Sequence, residues 1–281
     1  MTCKGIPNIK EDRIHNLVNA LLCISNNQFN RKEQIKCVLT NYPKSKSGEK
    51  GVFRGMILTT LGIMGLILNY GRLVKPSENG NLLIKSSSMG EDIHRKVISH
   101  VFWDIDNEIF GFLDVISKSK GIKSEIMAQL MKLTVNCSQE QMKERVTRWL
   151  RVLKSAQLVL ESNDLLKLNS ECIENLRRER DSINSKTGDF SEILFSTYSE
   201  IVNISNRIVD IEELRIKTSE KFLKRYKLPV TRLFFDELLL TIINEDKEFE
   251  ISLGHSMGKG EKLLKMNNDY YKTIYIRKRE V

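Results

Sequence analysis

The chain has 281 residues, of which 41% are apolar and 29% charged, and its formal net charge is +9. This composition is typical of a globular protein with two or three domains. The chain contains no run of about 18 uncharged apolar residues, so no transmembrane helix is predicted. The first ten residues lack the apolar core of a secretion signal. Five scattered cysteines without a CxxC pair favour reduced thiols in a cytoplasm over a disulfide framework or a zinc site.

The positive charge is concentrated in two stretches. Residues 1–100 hold 15 Lys and Arg against 7 Asp and Glu, and residues 118–154 hold 9 against 3. The charges of residues 171–229 and 230–281 balance. Two basic patches are typical of a surface that binds a polyanion. A membrane surface is the main alternative, but it would favour a basic amphipathic helix, and the basic segments here are partly loops.

Two helices are predicted to follow a basic N-terminal arm. Residues 1–10 predict an unstructured arm, which is either a frayed terminus or a segment that lies in a DNA minor groove. Apolar residues at helical spacing predict a helix over residues 11–25. Asn30 and Glu33 predict the capped start of a second helix, which ends near Leu39.

A basic loop and a third helix occupy residues 41–65. Phe53, Ile57, Thr60, Leu61 and Met64 fall on one side of this helix, which is expected to end near Leu61 because glycines weaken it. Strands are predicted next, over residues 66–70, 72–75 and 82–85, with a turn at residues 78–81. Three helices followed by a β-hairpin is the order of a winged helix-turn-helix.

A similar order is predicted again between residues 91 and 168. A connecting helix is expected over residues 91–102. Three helices follow over residues 106–118, 124–133 and 138–153, and a second hairpin over residues 157–168. Ser138 and Gln141 form a capping box at the start of the third of these helices. Met142, Val146, Trp149, Leu150 and Leu153 form its predicted buried stripe.

The last 112 residues are predicted to be helical first and mixed afterwards. Three helices are expected over residues 171–185, 189–217 and 220–227, followed by a small α+β unit with a helix over 231–244 and strands over 249–253 and 270–277. The predicted fold is therefore mainly α with small β-hairpins. It comprises tandem winged helix-turn-helix subdomains, a helical linker and a small C-terminal α+β unit, with domains at 1–101, 102–169, 170–227 and 228–281.

No motif in the chain predicts catalysis. The loop from Gly254 to Gly260 has three residues between its glycines where a phosphate-binding loop has four, and Gly260 stands where that loop has Ser or Thr. The four histidines lack the spacing of metal ligands. We therefore predict no catalytic residue, metal site or cofactor within this chain.

Paired winged helices behind a lysine-rich arm, without a nuclease motif, resemble the N-terminal DNA-recognition region of type IIS restriction endonucleases. The resemblance rests on architecture and sequence character across nearly the whole chain. It implies a monomeric, cytoplasmic module that reads a short asymmetric site in double-stranded DNA. A separate nuclease domain, outside this chain, would cut nearby with Mg²⁺. In such a protein the second DNA-reading winged helix is either residues 102–169 or residues 228–281.

The third helices are the hypothetical DNA-reading elements. Arg and Lys suit guanine and Gln suits adenine in the major groove, whereas phosphate contacts fix register. The residues expected to read bases are Lys50, Arg54, Gln139, Gln141, Lys143, Arg145 and Arg148, with Ser138 beside them at the helix start. Those expected to hold phosphates are Arg31, Lys44, Lys46, Ser47, Arg72 and Lys154. The arm, with Lys4, Ile6 and Pro7, is expected to track the minor groove.

Two other classes of protein fit the same pattern. A winged-helix transcriptional regulator would bind a palindromic operator as a dimer, because the two-fold symmetry of the protein mirrors that of the site. A protein–protein adaptor would show no affinity for DNA even at low salt.

Overall fold

A computed structural model describes residues 6–42, 48, 51–70, 73–109, 111–132, 137–202, 207–245, 249–256, 263–266 and 269–278. These residues form mainly α-helical structure with small antiparallel sheets, as predicted. The chain divides into two compact units, Met1–Leu176 and Arg177–Val281. The finer division into four domains stays a prediction.

The first unit contains nine α-helices, one π-helical segment and two hairpins in its described part. Its helices are α1 (Ile14–Asn26), α2 (Arg31–Leu39), a π-helical segment (Gly51–Leu58) that runs into α3 (Thr59–Ile63), α4 (Glu78–Ser86), α5 (Glu91–Ile109), α6 (Phe112–Lys118), α7 (Lys123–Lys132), α8 (Gln139–Ser155) and the start of α9 (Ser170–Asn184). Its strands are β1 (Ile67–Tyr70) with β2 (Leu73–Pro76), and β3 (Val159–Ser162) with β4 (Leu165–Leu168).

Two of the helix starts that local capping signals predicted, those of α2 and α8, are confirmed. The side chain of Asn30 accepts a hydrogen bond from the backbone N–H of Glu33, which fixes the start of α2. Ser138 and Gln141 form the reciprocal capping box of α8. The predicted buried stripe of α8 is confirmed at Val146, Trp149, Leu150 and Leu153. The prediction is wrong at Met142, which is only half-buried.

The turn predicted at residues 78–81 and the strand predicted at 82–85 are wrong. These residues form α4, whose N-cap is Ser77, with its hydroxyl accepting the N–H of Gly80. The real hairpin is β1–β2, immediately before α4. Gly80 looked like a turn glycine, but its missing Cβ serves packing: a Cβ there would lie 2.3 Å from the carbonyl oxygen of Leu66.

The connecting helix is longer than predicted, because α5 continues to Ile109. Asp106 was expected to begin the next helix, yet it lies in the last turn of α5. Its two carboxylate oxygens accept the backbone N–H groups of Phe112 and Leu113, at 3.0 and 2.9 Å, and so cap α6 from outside. The apolar residues predicted to face inward on α6 are buried: Phe112, Leu113 and Ile116.

A short third extended segment joins the β3–β4 hairpin. Ile122 forms an antiparallel bridge with Leu165, and the backbone N–H of Lys123 donates to the carbonyl oxygen of Asp164 at 2.8 Å. The segment ends where α7 begins. This part of the unit therefore has the order α6, bridge, α7, α8 and β3–β4 hairpin along the chain.

Two of the cysteines that we expected to be reduced are joined in a disulfide. Cys23 on α1 and Cys37 on α2 have Cα atoms 5.6 Å apart and are linked. Cys137 is disulfide-bonded as well, whereas Cys172 is a half-buried thiol. The prediction failed because residues 14 positions apart were brought together by helix packing, which sequence spacing does not reveal.

The second unit packs three helices against a sheet. Its elements after α9 are α10 (Thr187–Ile201), β5 (Val209–Asp210), α11 (Ile211–Tyr226), α12 (Arg232–Glu245), β6 (Phe249–His255), β7 (Leu264–Met266) and β8 (Asp269–Lys278). The strands are ordered β5–β8–β6, with β7 also paired to β8. The core includes Phe190, Phe222 and Phe235.

The helix predicted over residues 189–217 is wrong. It is two helices, since α10 ends at Ile201 and α11 starts after Asp210, whose side chain caps it. The helix α12 and the strands β6 and β8 are confirmed. A buried ion pair joins the two helices α11 and α12, because Arg215, which is 1% exposed, contacts Asp236 at 2.6 Å.

Candidate functional site

The part of the first unit from α1 to the β1–β2 hairpin is called its first half, and the part from α6 to the β3–β4 hairpin its second half. In the first half, two arginines form a positive patch between α2 and the π-helical segment that runs into α3. Arg54 is exposed on the π-helical segment, while Phe53 and Ile57 on its other side are buried. The guanidinium of Arg31 lies 4.5 Å from the centroid of the Phe53 ring. Partial burial and the nearby charge of Arg54 lower the pKa of Arg31. Neither arginine forms an ion pair with an acidic residue in the described part of the chain, so the patch suits an anion.

Five other basic candidates of this half, and Ser47, lie outside the described residues. They are Lys4, Lys44, Lys46, Ser47, Lys50 and Arg72. Of the residues proposed to bind DNA here, the structure thus brings Arg31 and Arg54 together.

Helix α8 presents three different faces. At about 100° per residue, its apolar stripe of Val146, Trp149 and Leu153 faces the core. One flank carries Arg145 and Arg148, and the opposite flank carries Gln139 and Lys143. The proposed base-reading residues are therefore divided between two sides of one helix.

The arginine flank of α8 holds the N-terminal arm. Arg145 donates to the carbonyl oxygen of Ile6 at 2.8 Å, and Arg148 donates to that of Ile9 at 2.6 Å. The indole N–H of Trp149 donates to the carbonyl oxygen of Pro7 at 3.0 Å. The side chains of Ile6 and Ile9 are fully buried.

The described part of the arm is thus packed, not unstructured as predicted. Its apolar side chains bury surface that a free arm would expose, and three donors satisfy its carbonyl groups. Ile6 has no exposed surface with which to enter a groove, and both arginines are occupied by backbone contacts within the protein.

The arm is also anchored to the first half of the unit. The backbone N–H groups of Lys10 and Glu11 both donate to the hydroxyl of Thr60 on α3. The buried carboxylate of Glu11 accepts hydrogen bonds from Arg13, Asn16 and Tyr42. Burial alone would raise the pKa of Glu11, but these hydrogen bonds outweigh it and lower that pKa.

Ser138 and Gln141 are used by the helix itself. The hydroxyl of Ser138 accepts the N–H of Gln141, and the side-chain carbonyl of Gln141 accepts the N–H of Ser138, both at 3.2 Å. Both glutamines of α8 are exposed, but the capping box uses the side chain of Gln141 and not that of Gln139.

The other flank of α8 borders an open groove of about 1480 Å³. Gln139, Lys143 and Lys154 line it, opposite α7 and the β3–β4 hairpin. Lys154 pairs with Glu161 on β3, as does Lys123, and their contacts lower the pKa of Glu161. Lys143 is exposed and forms no ion pair with any described residue.

Two roles, one on α8 and one on α7, were not foreseen in the sequence. Trp149 was expected only as a core residue, yet its indole N–H holds the arm. Lys132, at the end of α7, lines the groove opposite α8 but was not among the candidates. No local signal marks either role; the spacing of Met127 and Met131, four residues apart, does place both on the groove face of α7.

Within the described ranges, no group of three or more His, Cys, Asp and Glu side chains could hold a metal ion. No helix in the described part is long and apolar enough to cross a membrane. Comparison with protein-family models, curated proteins and solved structures found no match to this chain.

Proposed function

We propose that the chain recognises a short site in double-stranded DNA through the unit Met1–Leu176. The observation that carries the proposal is that each half of this unit ends its helical part with a third helix exposing a basic side chain that has no acidic partner in the described chain. These side chains are Arg54, with Arg31 beside it, and Lys143. Uncompensated cations on helices suit phosphates and the acceptors of guanine.

The order of elements supports a winged-helix arrangement for both halves. In each half, a hairpin follows the third helix directly, β1–β2 after α3 and β3–β4 after α8. The bridge between Ile122 and Leu165 adds the short first strand that a winged helix has between its first and second helices. We propose that each third helix enters a major groove with its hairpin beside the DNA backbone.

The contacts within the protein divide the candidate residues by role. Arg54, Gln139 and Lys143 are exposed and are proposed to read bases. Arg145 and Arg148 are proposed to position α8 by holding the arm. Because the arm is anchored to both α8 and α3, we propose that it fixes the spacing of the two reading helices.

Such a unit suits the targeting part of a type IIS restriction endonuclease. In that proposal the site is asymmetric, the chain binds as a monomer, and a nuclease domain outside this chain cuts with Mg²⁺. The two halves differ in sequence and in their charged side chains, which favours an asymmetric site over a palindrome.

The test is a mobility-shift titration with a duplex selected from a random pool. Replacing Arg54 or Lys143 by alanine should each weaken binding of the selected duplex about tenfold or more, since a good base contact is worth roughly 1–3 kcal/mol. The matched control is Lys272→Ala, which removes an exposed lysine from β8 in the second unit and should leave affinity unchanged.

Unchanged affinity in both Arg54→Ala and Lys143→Ala, with normal melting curves, would refute the proposal. The same titration separates the alternatives. A palindromic selected site bound by a dimer would indicate a transcriptional regulator. Loss of all affinity for DNA at about 50 mM salt would indicate an adaptor, because non-specific binding is strongest at low salt.

A further inference from the structure

The groove between α7 and α8 has an apolar floor that phosphate binding does not require. Met127 and Met131 of α7 and Met142 and Leu150 of α8 line it. The three methionines are half-buried, so their side chains are accessible along the groove. Methionine is flexible and polarizable, which suits a surface that adapts to apolar side chains of a partner.

The rim of the groove is positively charged. Five cations line it, and the two acidic residues there are Glu161 and Asp164. Glu161 is already paired with Lys123 and Lys154. Lys132 on the α7 side and Lys143 on the α8 side form no ion pair with a described residue. Two uncompensated cations therefore flank the apolar floor from opposite walls.

The volume of the groove also restricts its occupant. At about 1480 Å³ it exceeds the range of about 300–1,000 Å³ that is typical of small-molecule sites. Two helices with an apolar floor between them have the geometry of helix-in-groove recognition, in which an amphipathic helix lays its apolar face into a hydrophobic groove. A helix with acidic residues on both flanks would place those carboxylates against Lys132 and Lys143.

We propose that this groove binds an amphipathic helix of a partner protein, with apolar residues on its inner face and acidic residues on its flanks. The inference goes beyond the proposed DNA recognition and does not depend on it. Lys143 lines the groove and is also proposed to read bases, so a bound helix would cover one residue of the proposed DNA-binding surface. Lys132 belongs to the groove alone.

The experiment uses a synthetic peptide of about 18 residues as the probe, with leucines at i, i+3, i+7 and i+10 and glutamates on the flanks. It is titrated into the full chain labelled at its methionine methyl groups. The methyl resonances of Met127, Met131 and Met142 should shift together, with a Kd of tens of micromolar. Those of Met64, in the first half, and Met266, in the second unit, should not shift.

Charge specificity is tested with a peptide in which lysines replace the glutamates, and with Lys132→Glu. Both changes should weaken binding about tenfold, because each replaces attraction by repulsion at the rim. Lys272→Glu is the matched control and should bind like the unaltered chain. Met127→Gln, which makes the floor more polar, should also weaken binding and provides a second variant if Lys132→Glu misfolds.

Three outcomes would overturn the proposal. The first is the absence of shifts at about 1 mM peptide, where even weak binding is detectable. The second is equal binding of the acidic and basic peptides. The third is that a DNA duplex shifts the three methyl resonances and the peptide does not, which would assign the groove to nucleic acid. Failure of DNA binding in the mobility-shift titration leaves these results unaffected.

Discussion

At the scale of single residues, Asp106 shows how burial sets the chemistry of one carboxyl group. Its side chain is buried, and burial raises its pKa to about 6, although the backbone N–H groups of Leu113 and Phe112 act in the opposite direction. The nearby charge of Asp114 adds to the rise. In the unfolded chain the pKa would lie near 3.8. The folded state therefore binds this proton more tightly than the unfolded state does.

This difference predicts a specific dependence of stability on pH. Because the folded pKa is the higher one, the contribution of Asp106 is fully present below about pH 4 and is lost as pH rises through about 6. The loss is at most about 3 kcal/mol, from roughly two pKa units at about 1.4 kcal/mol each. Urea denaturation of the unaltered chain and of Asp106→Asn, at several pH values, measures it.

The variant isolates this one group from all others that titrate. In Asp106→Asn the loss between about pH 4 and pH 7 should disappear, although the variant is less stable at low pH because an amide can accept only one of the two N–H groups. Parallel pH profiles for the two proteins would contradict the assignment of the raised pKa to Asp106.

Single residues also show why the candidate site could be predicted only in part. Local sequence correctly assigned the basic candidate residues Lys143, Arg145, Arg148 and Lys154 to one helix, α8. Their division between the arm and the groove depends on where Ile6 and Ile9 pack, which is a contact between residues nearly 140 positions apart. No periodicity in the sequence contains that information.

At the scale of elements, the predictions succeeded where the signal is local. The caps at Asn30 and Ser138 each satisfy a backbone N–H within three residues, so they can be read from adjacent sequence. The start of α4 has such a cap as well, at Ser77. There the sequence Glu-Asn-Gly-Asn suggested a turn, and the tertiary contact of Gly80 with Leu66 outweighed it.

At Gly80, near the start of α4, we predict that substitution by alanine changes stability in the direction opposite to that expected from helix propensity alone. Gly80→Ala should destabilise the protein by about 2–3 kcal/mol, because the added Cβ would lie 2.3 Å from the Leu66 carbonyl oxygen. Propensity alone predicts the opposite sign, a gain of up to about 1 kcal/mol. Denaturant unfolding followed by circular dichroism distinguishes the two.

Gly62 offers the matched control for this experiment. It lies in α3, and a Cβ there would meet nothing within 4 Å. Gly62→Ala should therefore stabilise the protein by up to about 1 kcal/mol, as propensity predicts. Gains of similar size in both variants would show that the backbone at Gly80 moves away from Leu66 without cost.

At the scale of the whole molecule, the net charge belongs mostly to one unit. Met1–Leu176 holds 25 Lys and Arg against 18 Asp and Glu, whereas Arg177–Val281 holds 20 against 18. In the second unit, ion pairs such as Arg215 with Asp236 engage part of the charge internally. A long-range field that attracts a polyanion therefore arises from the first unit.

The charge distribution predicts how DNA affinity should depend on salt. Four cations are proposed to contact phosphates: Arg31, Lys44, Lys46 and Arg72. Lys154 is left out because it is paired with Glu161. Releasing the counterions of about four phosphates gives a slope of about −3 to −4 in a plot of log K against log salt concentration. Affinity should fall by a factor on the order of 10² between about 50 and 200 mM salt. Lys46→Ala should weaken binding to all sequences and reduce the slope by about one, whereas Lys272→Ala should leave it unchanged. A slope near zero would mean that the excess charge of the first unit does not face DNA, since cation release accompanies every phosphate contact.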